Sequence, residues 1–378
     1  VRNGNNTNFT TFDATGNSNL NCISVDDATW ATNNWTDIDS HTSFSDDCGS
    51  KIYVSKTGNN STGDGSSNNP YLTVQYAIDQ ASTNDSIIVG VGTFEEQVTI
   101  NKKVNLKGES TSGTKMFIDV NNYQNQKLVW VRSDTVSISN MTLSSNSDYN
   151  YLLYADTSII NAINVVFEQL DSIGGGMGGN NSVYLYGGGS AEIDYCSFIN
   201  TCSSTYQGMD YTAVNINNAD SVSITNSIFY IKNQYAYSGD KALYTNSYDN
   251  GTYSVIPHYM SHNLFWGYDY HSQYYDGSNT VNQDYDGVNN CIEQDPSLVD
   301  VANNNFNLLW YSPAVDAGNP SNLDADGSAS DMGALPFTKN NPEVSSPMIN
   351  GVAVNPTSVI LDIQITNDND IASLHIYR

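Results

Sequence analysis

The stretches VSISNMTL (136–143), INAINVVF (160–167), AEIDYCSF (191–198), VSITNSIF (222–229) and HYMSHNLF (258–265) share one plan, a short apolar run that closes on a bulky side chain. In a strand successive side chains point to opposite faces, so every second residue of such a run shares a face. The closing residues Leu143, Phe167, Phe198, Phe229 and Phe265 follow one another at 24, 31, 31 and 36 residues. A unit of that length suits three short strands with their turns, one coil of a parallel β-helix, and the surplus in longer coils must leave as loops. A single coil cannot bury its inward face, so stacking on the next coil supplies the core. Ile138, Ile193, Ile224 and the closing aromatics are the expected interior columns. Asn140, Asn164 and Asn226 recur three positions before the closing residue, and His262 holds the same place. Asn tolerates left-handed backbone and bonds to neighbouring amides, which predicts a stacked turn.

Upstream, NPYLTVQYAIDQAS (69–82) predicts a short helix with Leu72, Tyr76, Ile78 and Ala81 on one face. DSIIVGVGTFEEQVTINKKVNLKGE (85–109) then reads as strands parted by glycine or asparagine turns. The whole chain of 378 residues carries 40 acidic against 13 basic side chains, a formal charge of −27. Such a field repels nucleic acid and anionic lipid, and also polyanionic sugar unless calcium bridges the carboxylates; neutral glycans meet no such barrier. Cys22, Cys48, Cys196, Cys202 and Cys291 form no C-x-x-C pair and no zinc spacing. No apolar run approaches the roughly 20 residues of a membrane span, and no signal peptide opens the chain. VRNGNNTNFTTF at the start and SLHIYR at the end break into patterns midway, so the chain is expected to be an internal piece of a longer protein.

Residues 52–109, from IYVSKTGNN to NLKGE, resemble the opening of right-handed parallel β-helix proteins of the pectate-lyase-like superfamily, where a short helix caps the first coil. DPSLVDVANNNFNLLWYSPAVDAGNPSNLDADGSASDMGALPF (295–337) is similar to the closing segment of bacterial extracellular members. That superfamily spans lyases, hydrolases, epimerases and adhesive proteins, so the fold names no reaction. Residues 1–48 resemble the last rungs and cap of leucine-rich-repeat-like domains in surface proteins of Bacteroidetes. The resemblance implies a disulfide between Cys22 and Cys48, with two free buried thiols as the alternative. SSPMINGVAVNPTSVILDIQITNDNDIASLHIYR (345–378) looks like the first strands of a fibronectin-type or similar β-sandwich. The expected architecture is all-β: a leucine-rich-repeat remnant over 1–50, a right-handed parallel β-helix over 51–338, and a partial β-sandwich over 339–378. Arrays of this kind are typical of secreted or cell-surface proteins, in this phylum often exported by the type IX route.

Polysaccharide lyase chemistry needs a base and cations beside a uronate carboxylate, yet between residues 134 and 338 the only Lys or Arg are Lys232 and Lys241. A glycoside hydrolase needs two carboxylates, for which Glu168, Asp171, Glu192, Asp194, Asp210, Asp220 and Asp240 are candidates; solvated turn carboxylates are the competing reading. His258, His262 and His271 lie close in sequence but on a strand, where residues four apart are too distant to chelate alone. The inserts are rich in tyrosine. Tyr206, Tyr211, Tyr235, Tyr237, Tyr244, Tyr268, Tyr270 and Tyr274 would build one ligand-binding patch if the loops leave the same side of consecutive coils. The competing reading packs those rings onto the wall. The glycine run near 174–181 fits no phosphate loop. Asp324, Asp326 and Asp331 surround Gly327 in NLDADGSASDMGA (322–334) without the spacing of an EF-hand. They could hold a structural calcium ion or cap turns, and the loop around Asp64 is a weaker second place for one.

The reading is a display and adhesion module, binding a glycan or a surface protein through Tyr/Asp-rich loops beside neighbouring domains of the same long chain, with no nucleic acid and no direct membrane insertion. The rivals are a carbohydrate-active enzyme and a passive spacer.

Overall fold

The structure, a computed structural model, describes residues 9, 11–18, 20, 22–45, 48–119, 126–133, 135–146, 151–170, 181–201, 211–232, 239–249, 252–324, 327–337, 348–355 and 358–364. Three walls of stacked strands form a parallel β-helix. The first wall runs Gly92–Phe94, Thr114–Ile118, the back halves of Thr135–Ser145 and Ile159–Gln169, Ser197–Asn200, Ile228–Ile231, Leu264–Trp266 and Ile292–Glu293, each parallel to the next. In the second, Val98–Ile100, Lys127–Val131, Tyr151–Asp156, Asn181–Tyr186, Thr212–Asn217, Lys241–Asp249 and Tyr270–Tyr275 stack in parallel before the antiparallel return Thr280–Gln283. The third wall runs Lys51–Val54, Ser86–Val89, Asn105–Gly108, the front halves of Thr135–Ser145 and Ile159–Gln169, Ser190–Asp194, Ser221–Thr225 and His258–Ser261, again in parallel.

The corner between third and first walls is the recurrent turn. Asn140, Asn164, Tyr195, Asn226 and His262 take φ of 54°, 54°, 50°, 49° and 52°. One left-handed residue redirects the chain without a loop, and Asn does so at little steric cost. The column is also bonded across coils, with Asn164 Nδ2 donating to Asn140 Oδ1 at 3.3 Å. Inside the turn, Ile138, Ala162, Ile193, Ile224 and Met260 are in register and buried. The closing residues form a second column, in which Phe167, Phe198, Phe229 and Phe265 stack with ring centroids 4.9, 4.7 and 5.1 Å apart.

A seven-residue helix, Val74–Gln80, closes the N-terminal end of this interior. Thr73 caps it, and the Glu96 carboxylate accepts from the Val74 and Gln75 amides at 2.8 and 3.0 Å, where the first-turn N–H groups have no partner inside the helix. The buried face is Val74, Ala77, Ile78 and Ala81, which corrects the expected face: Leu72 precedes the cap and is 38 % exposed, while Tyr76 is only partly buried. The spacing 74, 77, 78, 81 is one helical stripe, and counting from Leu72 began it two residues too early, ahead of the cap.

The chain from 295 to 337 folds back across the outside of the first wall. Phe306, Leu308, Ala314, Met332 and Ala334 make a second apolar cluster with the outward side chains Val166, Ile199, Ile228, Tyr230 and Leu264. Strands Ser197–Asn200 and Ile228–Ile231 are therefore buried on both faces. Gly333 fits here for lack of a side chain, since a Cβ would lie 2.7 Å from Ile228 Cδ1 and its φ is +91°. Ahead of the helix, parallel pairs join Asp13–Ala14 to Asp37–Ile38 and Cys22–Ser24 to Ser43–Ser45 around Ile23, Ala31, Trp35 and Phe44. Cys22 and Cys48 are disulfide-bonded, with Cα atoms 5.5 Å apart. Beyond the closing segment the described backbone is one antiparallel hairpin, Met348–Asn355 with Ser358–Gln364.

Candidate functional site

The second wall faces outward with a polar and aromatic surface. Its register places Trp130, Tyr154, Tyr184, Asn215, Tyr244 and Gln273 in one outward row. Beside it runs Asp156, Tyr186, Asn217 and Asn246. These side chains point away from the core because each strand alternates, and their inward neighbours Leu153, Val183, Val214 and Leu243 are buried. Tyr154 and Tyr184 stack at 5.2 Å with 14° between planes, so their faces meet each other, and the Tyr184 hydroxyl accepts from Asn217 Nδ2 at 3.4 Å. Tyr151 meets both rings edge-on at 5.2 Å. The Lys127 ammonium lies 4.1 Å from the Trp130 ring centre and 4.0 Å from that of Tyr154, which places a cation between two π faces. Trp130 Nε1 donates to Asp156 Oδ2 at 2.8 Å.

Burial first, and then the charge of Asp156, push the Tyr154 hydroxyl up to about 12, so it stays protonated and can both donate and accept. Asn215 Nδ2 donates to Asn181 Oδ1 at 3.1 Å. The result is a rigid ladder of hydroxyl and amide edges set at the spacing of the coils.

Of the tyrosines expected to bind ligand, Tyr244 lies in this ladder, and Tyr270 and Tyr274 are partly buried on the last coil. Tyr211 and Tyr268 correct the expectation, because they are 5 % and 4 % exposed and belong to the core. The Tyr211 hydroxyl is bonded to Ser182 Oγ at 2.7 Å, inside the coil. Tyr206, Tyr235 and Tyr237 lie outside the described residues. The ends of their inserts are described, however, and Thr201 with Tyr211 and Lys232 with Asp240 all stand at the seam between first and second walls.

Each described carboxylate proposed for acid–base work has partners of its own, apart from Glu192, which is exposed on the third wall. Glu168 pairs with Lys115 Nζ at 2.6 Å, and Asp194 accepts from Thr225 Oγ1 and Asn226 Nδ2, both at 2.7 Å. Asp240 accepts from the Tyr211 amide at 2.7 Å, and Asp220 from the Gly189 amide at 3.2 Å. Asp171 and Asp210 lie outside the described residues. Around Gly327, Asp331 is buried and spends both oxygens on backbone, accepting from Asp316 N at 2.7 Å and Phe337 N at 2.6 Å. Burial raises its pKa, against those two hydrogen bonds. Asp324 Oδ2 accepts from the Asp331 amide at 3.1 Å, and Asp326 lies outside the described residues. Asp64 is exposed and caps its own turn by accepting from Ser66 N at 2.9 Å.

The histidines separate. His262 is the turn residue of its coil and bonds Asn290. His258 lies at an inward register position, with Nδ1 3.1 Å from the Ile256 carbonyl. His271 is buried as the last ring of the phenylalanine column, 4.2 Å from Phe265, with Asp284 Oδ1 at 2.9 Å and Glu293 Oε2 at 3.7 Å from its nitrogens. Burial lowers its pKa, against the pull of those two carboxylates. Neither Asp284 nor Glu293 was suggested by sequence spacing, since three separate segments bring the group together. The ladder residues Trp130, Tyr154 and Tyr184 were likewise missed. They do recur at 24 and 30 residues, the period of the coil, and aligning the second strand of each repeat would have exposed them.

No family model and no curated protein matches the sequence. Among solved structures, pectin methylesterase from Erwinia chrysanthemi is 12 % identical with a TM-score of 0.38, covering 64 % of this chain and 87 % of its own. A rhamnogalacturonan lyase is 13 % identical with a TM-score of 0.41 over 59 % and 70 % of the two chains. A pectate lyase is 14 % identical with a TM-score of 0.29 over 76 % and 96 %. Likeness at that level carries no argument about chemistry, and the fold rests on the coil-by-coil pairing described above. Among the described residues no helix is long and apolar enough to cross a membrane.

Proposed function

We propose that the chain is the display module of an extracellular or cell-surface protein, and that its second wall binds neutral glycan. The observation that carries this reading is the ladder Trp130, Tyr154, Tyr184, Asn215, Tyr244 and Gln273, in register across consecutive coils and each partly exposed. Sugars expose hydroxyls and C–H faces together, and rigid aromatic edges alternating with amides offer partners to both at low entropic cost. The first wall is sheathed by the chain from 295 to 337, whereas among the described residues no such segment covers the second, at whose edge the tyrosine-rich inserts are rooted. The charge of −27 favours a neutral chain over a uronate polymer.

The test is binding to immobilised neutral and uronic-acid oligosaccharides by the wild type, the double variant Tyr184→Ala/Tyr244→Ala, and Tyr259→Ala on the third wall, which is 53 % exposed. Neutral glycan should bind, the double variant should lose at least about tenfold in affinity, the loss of more than 1.4 kcal/mol expected of a contact centre, and Tyr259→Ala should bind as wild type. Absence of glycan binding, or a double variant that binds unchanged, would discard the ladder as the site.

A further inference from the structure

The C-terminal end of the solenoid interior is closed by a group of side chains that the proposed display role does not use. His271 comes from the last parallel strand of the second wall, Tyr270–Tyr275; Asp284 follows the antiparallel return Thr280–Gln283; and Glu293 lies on Ile292–Glu293, the last strand of the first wall. One ligand atom from each lies within 4.8 Å of the other two. Together with Asp269, Asn282 and Gln283 they line a cavity of about 170 Å³. His271 is 5 % exposed, and its Nε2 faces Glu293 Oε2 at 3.7 Å, beyond hydrogen-bond range. The nitrogen thus opens onto the cavity and faces a carboxylate across it.

Nδ1 lies 3.0 Å from the Tyr285 amide and 2.9 Å from Asp284 Oδ1, an oxygen that also accepts from the Asp286 amide at 2.9 Å. With the proton on Nε2, the Nδ1 lone pair meets the Asp284 oxygen. With the proton on Nδ1, the Nε2 lone pair meets Glu293. Either tautomer sets a nitrogen lone pair against an anionic oxygen, and a cation between them removes the conflict. With Nδ1–H donating to Asp284, the ring takes the orientation that carboxylates commonly impose on metal-bound histidine. The 3.7 Å between Nε2 and Glu293 Oε2 is close to the roughly 3.4 Å that separates ligands bonded at 2.0–2.1 Å to a tetrahedral ion.

We propose that His271 Nε2 and Glu293 bind one divalent transition-metal ion of the zinc type, with Asp284 orienting the ring from Nδ1 and water in the remaining positions. An imidazole among two carboxylates suits zinc or manganese better than calcium, which takes oxygen ligands alone. Glu293 is 48 % exposed at its side chain, so its carboxylate can shift by the few tenths of an ångström that coordination needs. The ion would pin three segments across the open end of the core, next to Phe265.

Metal-stripped protein should bind about one equivalent of zinc in titration calorimetry, and cobalt(II) should give the visible absorption of a site containing nitrogen. Calcium should bind at least about tenfold more weakly. Glu293→Gln and Asp284→Asn, both at exposed side chains that leave the core intact, should each weaken zinc at least tenfold. Asp324→Asn, in the distant aspartate loop, should bind zinc as wild type. No binding at millimolar zinc, or affinity untouched by Glu293→Gln and Asp284→Asn, would overturn the site. A zinc-independent melting temperature that instead rises as pH falls would show that a proton, not a metal, resolves the conflict, and would overturn it equally.

Discussion

Asn226 joins the recurrent turn to the closing segment, and replacing it separates two energies that are usually confounded. Its backbone is left-handed, with φ of 49°. The side chain donates to Asp194 Oδ1 at 2.7 Å and accepts from the Asn319 amide at 2.7 Å, and the residue is 3 % exposed. Asn226→Gly keeps the backbone comfortable and removes only the side chain. Asp194 retains its bond from Thr225 Oγ1, so the main loss is the Asn319 amide, left unpaired at a cost of about 1–3 kcal/mol. A further ~1 kcal/mol is expected for the bond to Asp194. Asn226→Ala loses the same bonds and adds roughly 1–2 kcal/mol for a β-carbon in left-handed backbone. The Gly variant should therefore be about 2–4 kcal/mol less stable than wild type, and the Ala variant about 1–2 kcal/mol below that. Urea unfolding followed by tryptophan fluorescence reads both midpoints, provided the slopes agree. If glycine proved as costly as alanine, the left-handed turn would not be what Asn supplies there; if both cost under about 1 kcal/mol, the turn column would not hold the coils together.

In the phenylalanine column, Phe198→Ala should cost about 3–5 kcal/mol and Phe198→Leu a smaller amount, because leucine refills volume but not the stacking against Phe167 and Phe229; equal costs in the same urea assay would deny a stacking contribution. The Cys196 thiol, pushed up to about 12 by burial, should ignore a thiol reagent at pH 8 in native protein and react at once in denaturant, and native reactivity would contradict its place in the core. Asp331 has its pKa raised by burial, so the folded state binds its proton more tightly than the unfolded chain; this group's contribution favours folding below its unfolded pKa of about 3.8 and is lost as pH rises through the folded value. At neutral pH Asp331→Asn should still lose about 1–3 kcal/mol, since an NH₂ would face either the Asp316 or the Phe337 amide, and a stabilised variant in thermal melts would refute the turn role.

The solenoid was legible because its determinants are local and periodic. The apolar alternation, the closing aromatics and the Asn position each recur once per coil, and Ile138, Ile193, Ile224 and Phe167 to Phe265 lie where that period places them. The helix was legible in place but not in phase, since Thr73 caps it after Leu72. What could not be read is what several coils build jointly. Whether a tyrosine lies on the wall or in the core depends on the register of its strand: Tyr211 and Tyr244 come from similar segments, yet one turns inward and the other out. Asp284 and Glu293 meet His271 only after the last coil and its antiparallel return have folded, and no spacing encodes that.

The strap of residues 295–337 has a consequence for how this array can change length. Solenoids of identical coils couple only neighbours, so coils can be gained or lost between them. Here the strap touches several coils at fixed addresses: Ser330 Oγ and Asn322 Nδ2 meet the Tyr195 hydroxyl at 2.8 Å, Ala334 N reaches Ser197 Oγ at 2.9 Å, and Gly333 N and Asn319 N reach Asn226. Inserting or deleting one coil between Tyr195 and Asn226 would displace half of those addresses by a rung, about 4.8 Å, while leaving the rest in place. The strap thus acts as a ruler that fixes the coil count beneath it, and growth or shrinkage of the rod is confined to coils nearer the helix Val74–Gln80, outside the apolar contacts of its described residues.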